Sequence, residues 1–179
     1  MKSLIQKIST LIAIILFSCN TLQINAEGLS DYRLGVGDQL SIKVFGEDEL
    51  SAEVTLSDAG TISYPFLGEI KVLDMTIGSL SKLITTRLAD GYLVNPNVNV
   101  QVTGYREFYI NGEVEDPGAY PYQPGLTLQK AVALAGGYTE RASKSKQYVM
   151  HDGQNTRQKV KPGAKILPGD VITVDESFF

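Results

Sequence analysis

Tryptophan is missing from this 179-residue chain, and cysteine and histidine occur once each. With Cys19 alone, an intrachain disulfide is impossible and a thiolate metal cluster is excluded, so stability has to come from packing. With His151 alone, any serine–histidine–aspartate arrangement would have to use that residue, and no serine stands in a nucleophile-elbow context. Positive charge is in deficit: 16 basic residues face 20 acidic ones, with no basic cluster. A chain of that kind lacks the phosphate-neutralising footprint of a nucleic-acid binder. Long apolar runs are also absent after residue 26, where nothing approaches the roughly 20 residues of a membrane-spanning helix.

What is present begins with a leader. Lys2 and Lys7 precede an apolar stretch at 11–17, too short to span a bilayer but suited to the core of a signal peptide over residues 1–26. Two processing sites compete. Ile24-Asn25-Ala26 before Glu27 obeys the small-residue rule, whereas Leu16-Phe17-Ser18-Cys19 resembles a bacterial lipobox, in which Cys19 would be lipidated. Either route carries the chain across the inner membrane to the periplasm. Removing the leader leaves 14 basic against 20 acidic residues, a net charge of −6. The 43% hydrophobic content is enough for real cores, in one medium domain or two small ones.

Residues 27–105 read as a first α+β region. In "LGVGDQLSIKVFG", Leu40, Ile42 and Val44 alternate with polar residues after a turn at Gly37-Asp38, which predicts a half-buried strand. Val54 and Leu56 alternate again before Asp58-Ala59-Gly60, so the spacing predicts a hairpin to a strand at 61–64. From Thr76 the period changes: Ile77, Leu80, Leu83, Ile84 and Leu88 recur at helical spacing, with Thr76 placed to cap and Gly91 to stop. "NPNVNVQVTGY" returns to period two.

Residues 106–179 read as a strand-rich second region around one short helix. Residues 108–114 are strand-like, and Asp116-Pro117-Gly118-Ala119 has the order a type II turn requires; Gln123-Pro124-Gly125-Leu126 repeats it. Thr127 is placed to cap a helix whose Leu128, Ala131, Val132 and Ala135 share a face, and Gly136-Gly137 are placed to end it. Further strands fit 147–150, 157–160 and 171–174, with turns at Asp152-Gly153 and Pro168-Gly169. Gly37-Asp38 and Gly169-Asp170 open similar six-residue runs; in both, glycine permits the turn and aspartate can bond the backbone that follows.

Candidate chemistry is sparse. His151 beside Asp152-Gly153 reads as a surface turn residue. Glu47, Asp48 and Glu49, or Glu113, Glu115 and Asp116, supply the paired acids of a glycosidase, but both clusters border turns, and neither has a context that would raise a carboxyl pKa. Their spacing lacks the alternating ligands and central glycine of a calcium loop. Solvated loop acids are the simpler reading. "LGVGDQ" is no dinucleotide fingerprint, because the third glycine is absent and a strand follows. Tyr105, Tyr109, Tyr120, Tyr122 and Tyr138 concentrate near the start of the second region, where aromatic faces can stack on sugars, fill interfaces, or simply suit strands. No cofactor and no metal site is expected.

In order and spacing, "YRLGVGDQLSIKVFGEDELS", "GTISYPFLGEIKVLDMTIGSL" and "YLVNPNVNVQV" resemble the signature blocks of the bacterial polysaccharide export domain. "INGEVEDPGAYPYQPGLTLQKAVALAGGYTERA" with "PGDVITV" resembles the soluble ligand-binding β-grasp (SLBB) domain that follows it. The resemblance implies a short export domain at 27–105 and a β-grasp-like SLBB domain at 106–179. It also implies a subunit of a capsule or exopolysaccharide export machine at the periplasmic face of the outer membrane. The implied partners are further copies in a homo-oligomeric ring, an inner-membrane polysaccharide co-polymerase, the polysaccharide, and a separate outer-membrane β-barrel, since no pore helix is expected after Phe179. Two other readings stand beside it: a monomeric periplasmic module binding a sugar or small ligand, and a carbohydrate-active enzyme using one acid among Glu113, Glu115 and Asp116.

Overall fold

The structure is a computed structural model that describes residues 32–177. The leader at 1–26, Cys19 and the terminal Phe178-Phe179 lie outside the described residues. The described chain is α+β and forms one compact unit containing two hydrophobic clusters.

The first cluster is built on β1 (Gln39–Val44), which runs antiparallel between β2 (Ala52–Thr55) and β5 (Val98–Gly104). Leu40, Ile42 and Val44 point inward from β1, because alternate residues share one face of a pleated strand. They meet Leu80, Ile84 and Leu88, the fully buried stripe of α1 (Ile77–Ala89). The Thr76 hydroxyl caps α1 by accepting from Ser79 N–H at 3.2 Å, and Gly91, at φ 94°, follows its end. Each buried aliphatic side chain contributes about 1.5–3 kcal/mol of transfer free energy, which outweighs the weak propensity of short strands.

The strand at 61–64 does not form the expected hairpin with 52–55. β3 (Thr61–Tyr64) pairs instead with β4 (Gly68–Lys71) in a separate two-stranded sheet. The turn at Gly60 exists, with φ 71° and Gly60 N–H bonded to Ser57 O. However, β2 spends its ladder on β1, and the register Ile62↔Ile70 buries both isoleucines against the same core. Burial of a matched apolar pair chose the partner.

In the second cluster, β10 (Val171–Glu176) lies parallel to β6 (Phe108–Gly112) and antiparallel to β8 (Ala142–Met150). With β7 (Gly118–Tyr120) and β9 (Gln158–Lys159) at the edges, the order is β7-β6-β10-β8-β9. The parallel pair requires a crossover. That connection includes α2 (Leu128–Leu134), whose Leu128, Ala131 and Val132 share the core with Phe108, Ile110, Val149 and Ile172. This helix on a mixed sheet is β-grasp-like. Thr127 accepts from Lys130 N–H at the helix start, while Gly136 (φ 78°) and Gly137 (φ 102°) form its exit. At 123–126, Leu126 N–H bonds Gln123 O and Gly125 takes φ 81°. β8 starts five residues before the expected strand at 147–150, and β9 is shorter than the expected 157–160.

Pro117-Gly118 is not the expected type II turn. Gly118 belongs to β7, paired with Ile110, and is not among the positive-φ glycines. The left-handed residue is Gly112, at φ 85°. The chain then returns through 113–116, where Glu115 N–H bonds Gly137 O and Asp116 N–H bonds Ala135 O. Donors captured by the end of α2 hold this segment in place, so Pro117-Gly118 enters the strand extended.

Candidate functional site

Two places gather the polar and aromatic side chains that the cores leave over. The first is the stretch between the two clusters. Asp38 is fully buried, and its Oδ2 accepts from Gly35 N–H (2.8 Å), the Tyr32 hydroxyl (2.5 Å) and Arg106 Nη1 (3.1 Å). Its Oδ1 accepts from the Arg106 backbone N–H at 3.1 Å. Arg106 also donates through Nη1 to the Tyr32 hydroxyl (2.9 Å) and through Nε to Asp152 (3.1 Å). A buried carboxylate is tolerable only with such a full set of donors. Burial pushes the Tyr32 phenol far up, reinforced by its bond to Asp38 and the charge there, so the hydroxyl stays protonated and donates.

Asp170 sits in a matching arrangement. Its Oδ2 accepts from Leu167 N–H at 2.7 Å, as Asp38 accepts from Gly35, and in both cases the partner lies three residues earlier. The expectation that these aspartates bond the following backbone is therefore corrected. The preceding turn folds back, with Asp38 N–H on Gly35 O and Asp170 N–H on Leu167 O, and Gly37 and Gly169 at φ 90° and 84°. Asp170 Oδ1 lies 2.9 Å from His151 Nδ1, so His151 is half-buried and paired rather than a free surface turn residue. Burial raises the Asp170 carboxyl above the ordinary carboxylate range, against the opposing pull of Leu167 N–H, His151 and Arg106. With both oxygens engaged, the pair locks a turn.

The two Gly-Asp turns converge on one guanidinium. A Cβ added at Gly35 would lie 2.2 Å from Arg106 Nη1, and one at Gly169 would lie 2.8 Å from Arg106 Nε. Beside it runs an aromatic row, Tyr32–Tyr105–Tyr122, with edge-on ring centroids 5.2 and 5.3 Å apart. Burial raises the phenols of Tyr105 and Tyr122 as well. Sequence reasoning missed Arg106, Tyr32, Gly35 and Asp152 here. The repeated Gly-Asp pair was the available signal.

The second place is a cleft of about 190 Å3 lined by Glu47, Glu49, Leu50, Phe66, Tyr92 and Leu93. Part of the lining is a 3-10 turn, Asp48–Leu50, held by the buried Tyr64 hydroxyl, which donates to Leu50 O at 2.5 Å. The Phe66 and Tyr92 rings meet edge to face at 6.0 Å, and Tyr92 donates to Phe66 O at 3.3 Å. Phe66 occupies the β3–β4 loop with φ 61°, spanned by a Leu67 N–H to Pro65 O bond of 2.7 Å. A bulky residue in the left-handed region costs of order 1–3 kcal/mol. The residue is nonetheless 64% exposed, so little burial offsets that cost. Sequence reasoning missed this aromatic pair too, since no periodicity marks a loop residue.

The remaining candidates are dispersed. Glu113 accepts from the Thr139 hydroxyl at 2.6 Å; Glu115 and Asp116 lie exposed beside the exit of α2. Tyr120 stacks on Phe108 and Tyr138 accepts from Gln147, so both serve the second core, while Tyr109 is about half exposed.

Comparison with known proteins agrees with this layout. Residues 26–103 match the family of polysaccharide biosynthesis/export proteins, and residues 108–158 match the SLBB domain. β10, which supplies the parallel partner of β6, lies beyond the second match. The exopolysaccharide production protein ExoF of Rhizobium meliloti is 34% identical over 119 residues, covering 60% of this chain and 28% of the relative. The EPS I polysaccharide export outer membrane protein EpsA of Ralstonia solanacearum is 28% identical, covering 80% and 48%. The polysialic acid transport protein KpsD of Escherichia coli is 25% identical, covering 73% and 24%. The chain thus spans less than half the length of each of these relatives. Taken with the two matched domains and the α+β fold that carries them, these likenesses show that the chain belongs to the polysaccharide biosynthesis/export family, with one SLBB domain.

Proposed function

We propose that the chain is a non-enzymatic subunit of a capsule or exopolysaccharide export machine, acting at the periplasmic face of the outer membrane after its leader, residues 1–26, directs it across the inner membrane. The export module ends near residue 105 and the SLBB module follows from 106. The observation that carries this reading is the Arg106 junction, which ties the matched export region to the matched SLBB region through a buried carboxylate on one side and Asp152 on the other. Two modules joined this way move as one block, as a ring built from identical blocks requires. β5 is the seven-residue terminal strand of its sheet, and a terminal strand offers unpaired backbone groups to a neighbouring copy. No described helix is long and apolar enough to cross a membrane. The partners in this reading are further copies of the chain, an inner-membrane co-polymerase and a separate outer-membrane β-barrel. The polymer passes by weak, repeated polar contacts, because tight binding would stall it.

The test is deletion of the gene in a strain without a second copy. Surface polysaccharide should fall sharply and return on complementation; an undiminished surface layer refutes the reading. Light scattering on the processed chain should show a mass several times that of one copy. The rival, a monomeric sugar-binding module, would be selected by a single-copy mass together with tight oligosaccharide binding.

A further inference from the structure

We infer that the cleft between the Asp48–Leu50 turn, Phe66 and Tyr92 is a saccharide subsite that takes one ring of an uncharged polysaccharide. This inference rests on the export reading above and deepens it. Three independent features meet there. The first is Phe66, held at φ 61° although the residue is mostly exposed, a conformation that burial does not repay and that leaves a large apolar side chain in solvent. The second is the edge-to-face contact with Tyr92, which fixes the orientation of both rings and leaves an aromatic shelf for the C–H face of a sugar. The third is Glu47 and Glu49, which line the same cleft and are both exposed. Carboxylates only accept hydrogen bonds, so they suit hydroxyl donors and repel a uronate or phosphate on the same ring.

The size of the cleft agrees with a subsite. At about 190 Å3 it is smaller than the roughly 300–1,000 Å3 pockets that enclose a whole small ligand, so it suits one ring of a longer chain. A shallow shelf holds such a ring weakly, which a moving polymer needs. Tyr64 holds Leu50, which lines the cleft beside the two acids, through its bond to Leu50 O.

The experiment titrates the full chain with cellohexaose and maltohexaose as neutral probes and with an oligogalacturonate of the same length, by calorimetry and by NMR line broadening. A neutral probe should bind, and the uronate should bind more weakly. Phe66→Asn and Tyr92→Ala should each weaken neutral binding about tenfold. Phe66→Asn tolerates the left-handed backbone, so its melting temperature should equal or exceed that of the parent, which separates lost binding from lost folding. Glu47→Gln with Glu49→Gln should narrow the gap between neutral and uronate probes. The inference is overturned if neither neutral probe binds, or if both aromatic variants bind as the parent does. A reduced native mass on Phe66→Asn also overturns it, because the patch is then an interface between copies. Complementing the deletion strain tells the two readings apart: full export by Phe66→Asn with unchanged binding sinks the subsite alone, whereas a deletion without phenotype sinks the export reading alone.

Discussion

Arg106 Nη1 lies 3.1 Å from Oδ2 of Asp38, a carboxylate with no exposed surface, across 68 residues of sequence. The Arg106 side chain is only 18% exposed, so solvent screens the pair weakly. This bond joins the end of β5 to the turn before β1 and, through Asp152, to the second core.

Removing one member of a buried pair leaves the other unpaired, which typically costs about 3–5 kcal/mol. Arg106→Ala should fall at the lower end of that range, because Gly35 N–H, Arg106 N–H and Tyr32 still donate to Asp38. Asp152, more than half exposed, should matter far less, with Asp152→Asn costing under about 1 kcal/mol. Urea unfolding of the single variants and of the Arg106→Ala/Asp38→Ala double variant measures the coupling; additive effects would refute the link.

Gly112 and Gly125 both take positive φ, yet their surroundings differ. A Cβ at Gly112 would lie 2.1 Å from Val174 O, whereas one at Gly125 meets nothing within 4 Å. Gly125→Ala should therefore cost only the left-handed penalty of about 1–2 kcal/mol. Gly112→Ala has to separate the parallel β6–β10 pair as well and should cost at least about 3 kcal/mol or prevent folding. Comparable melting temperatures for the two variants would contradict this.

The raised Asp170 carboxyl sets a pH dependence. Folding favours its protonated form, so the stability it contributes is complete below its unfolded value of 3.8 and is lost as pH climbs through the folded value. Asp170→Asn keeps an acceptor for Leu167 N–H and does not titrate. Measured by urea midpoints, the stability of the parent relative to Asp170→Asn should decline as pH rises from below 4 upward. A difference that grows with pH would reverse the sign and disprove the assignment of burial as the main cause.

Tyr64→Phe removes the hydroxyl that holds Leu50. The Leu50 carbonyl loses its buried donor, which costs about 1–2 kcal/mol. Urea midpoints read that cost; a variant as stable as the parent would mean that the bond carries little.

Both described helices were legible in the sequence because each buries one face at period 3.6, with a threonine before it and at least one glycine after it. The strands β1, β5 and β10 were legible for the same local reason at period two. Strand partners were less so. Val54 and Ile62 flank a turn at Gly60 and read as a hairpin, but β2 is drawn to β1 and β3 to β4 by burial of residues the turn does not touch. Pro117-Gly118 has the composition of a type II turn and runs extended, because Glu115 and Asp116 give their N–H groups to the end of α2. Of the candidate site, the Gly-Asp echo was visible and its meeting point was not.

The sequence by itself determined the two described helices, the strands β1, β5 and β10, and the family signature they spell together, since these depend on side-chain period and on residues a few positions apart. Tertiary structure alone decided that Gly35 and Gly169 make room for one arginine, and that Phe66 and Tyr92 meet in a cleft that Glu47 and Glu49 also line. Those encounters join residues dozens of positions apart. They are settled by competition among all the chain's donors, acceptors and apolar faces for burial, and no local pattern records its outcome.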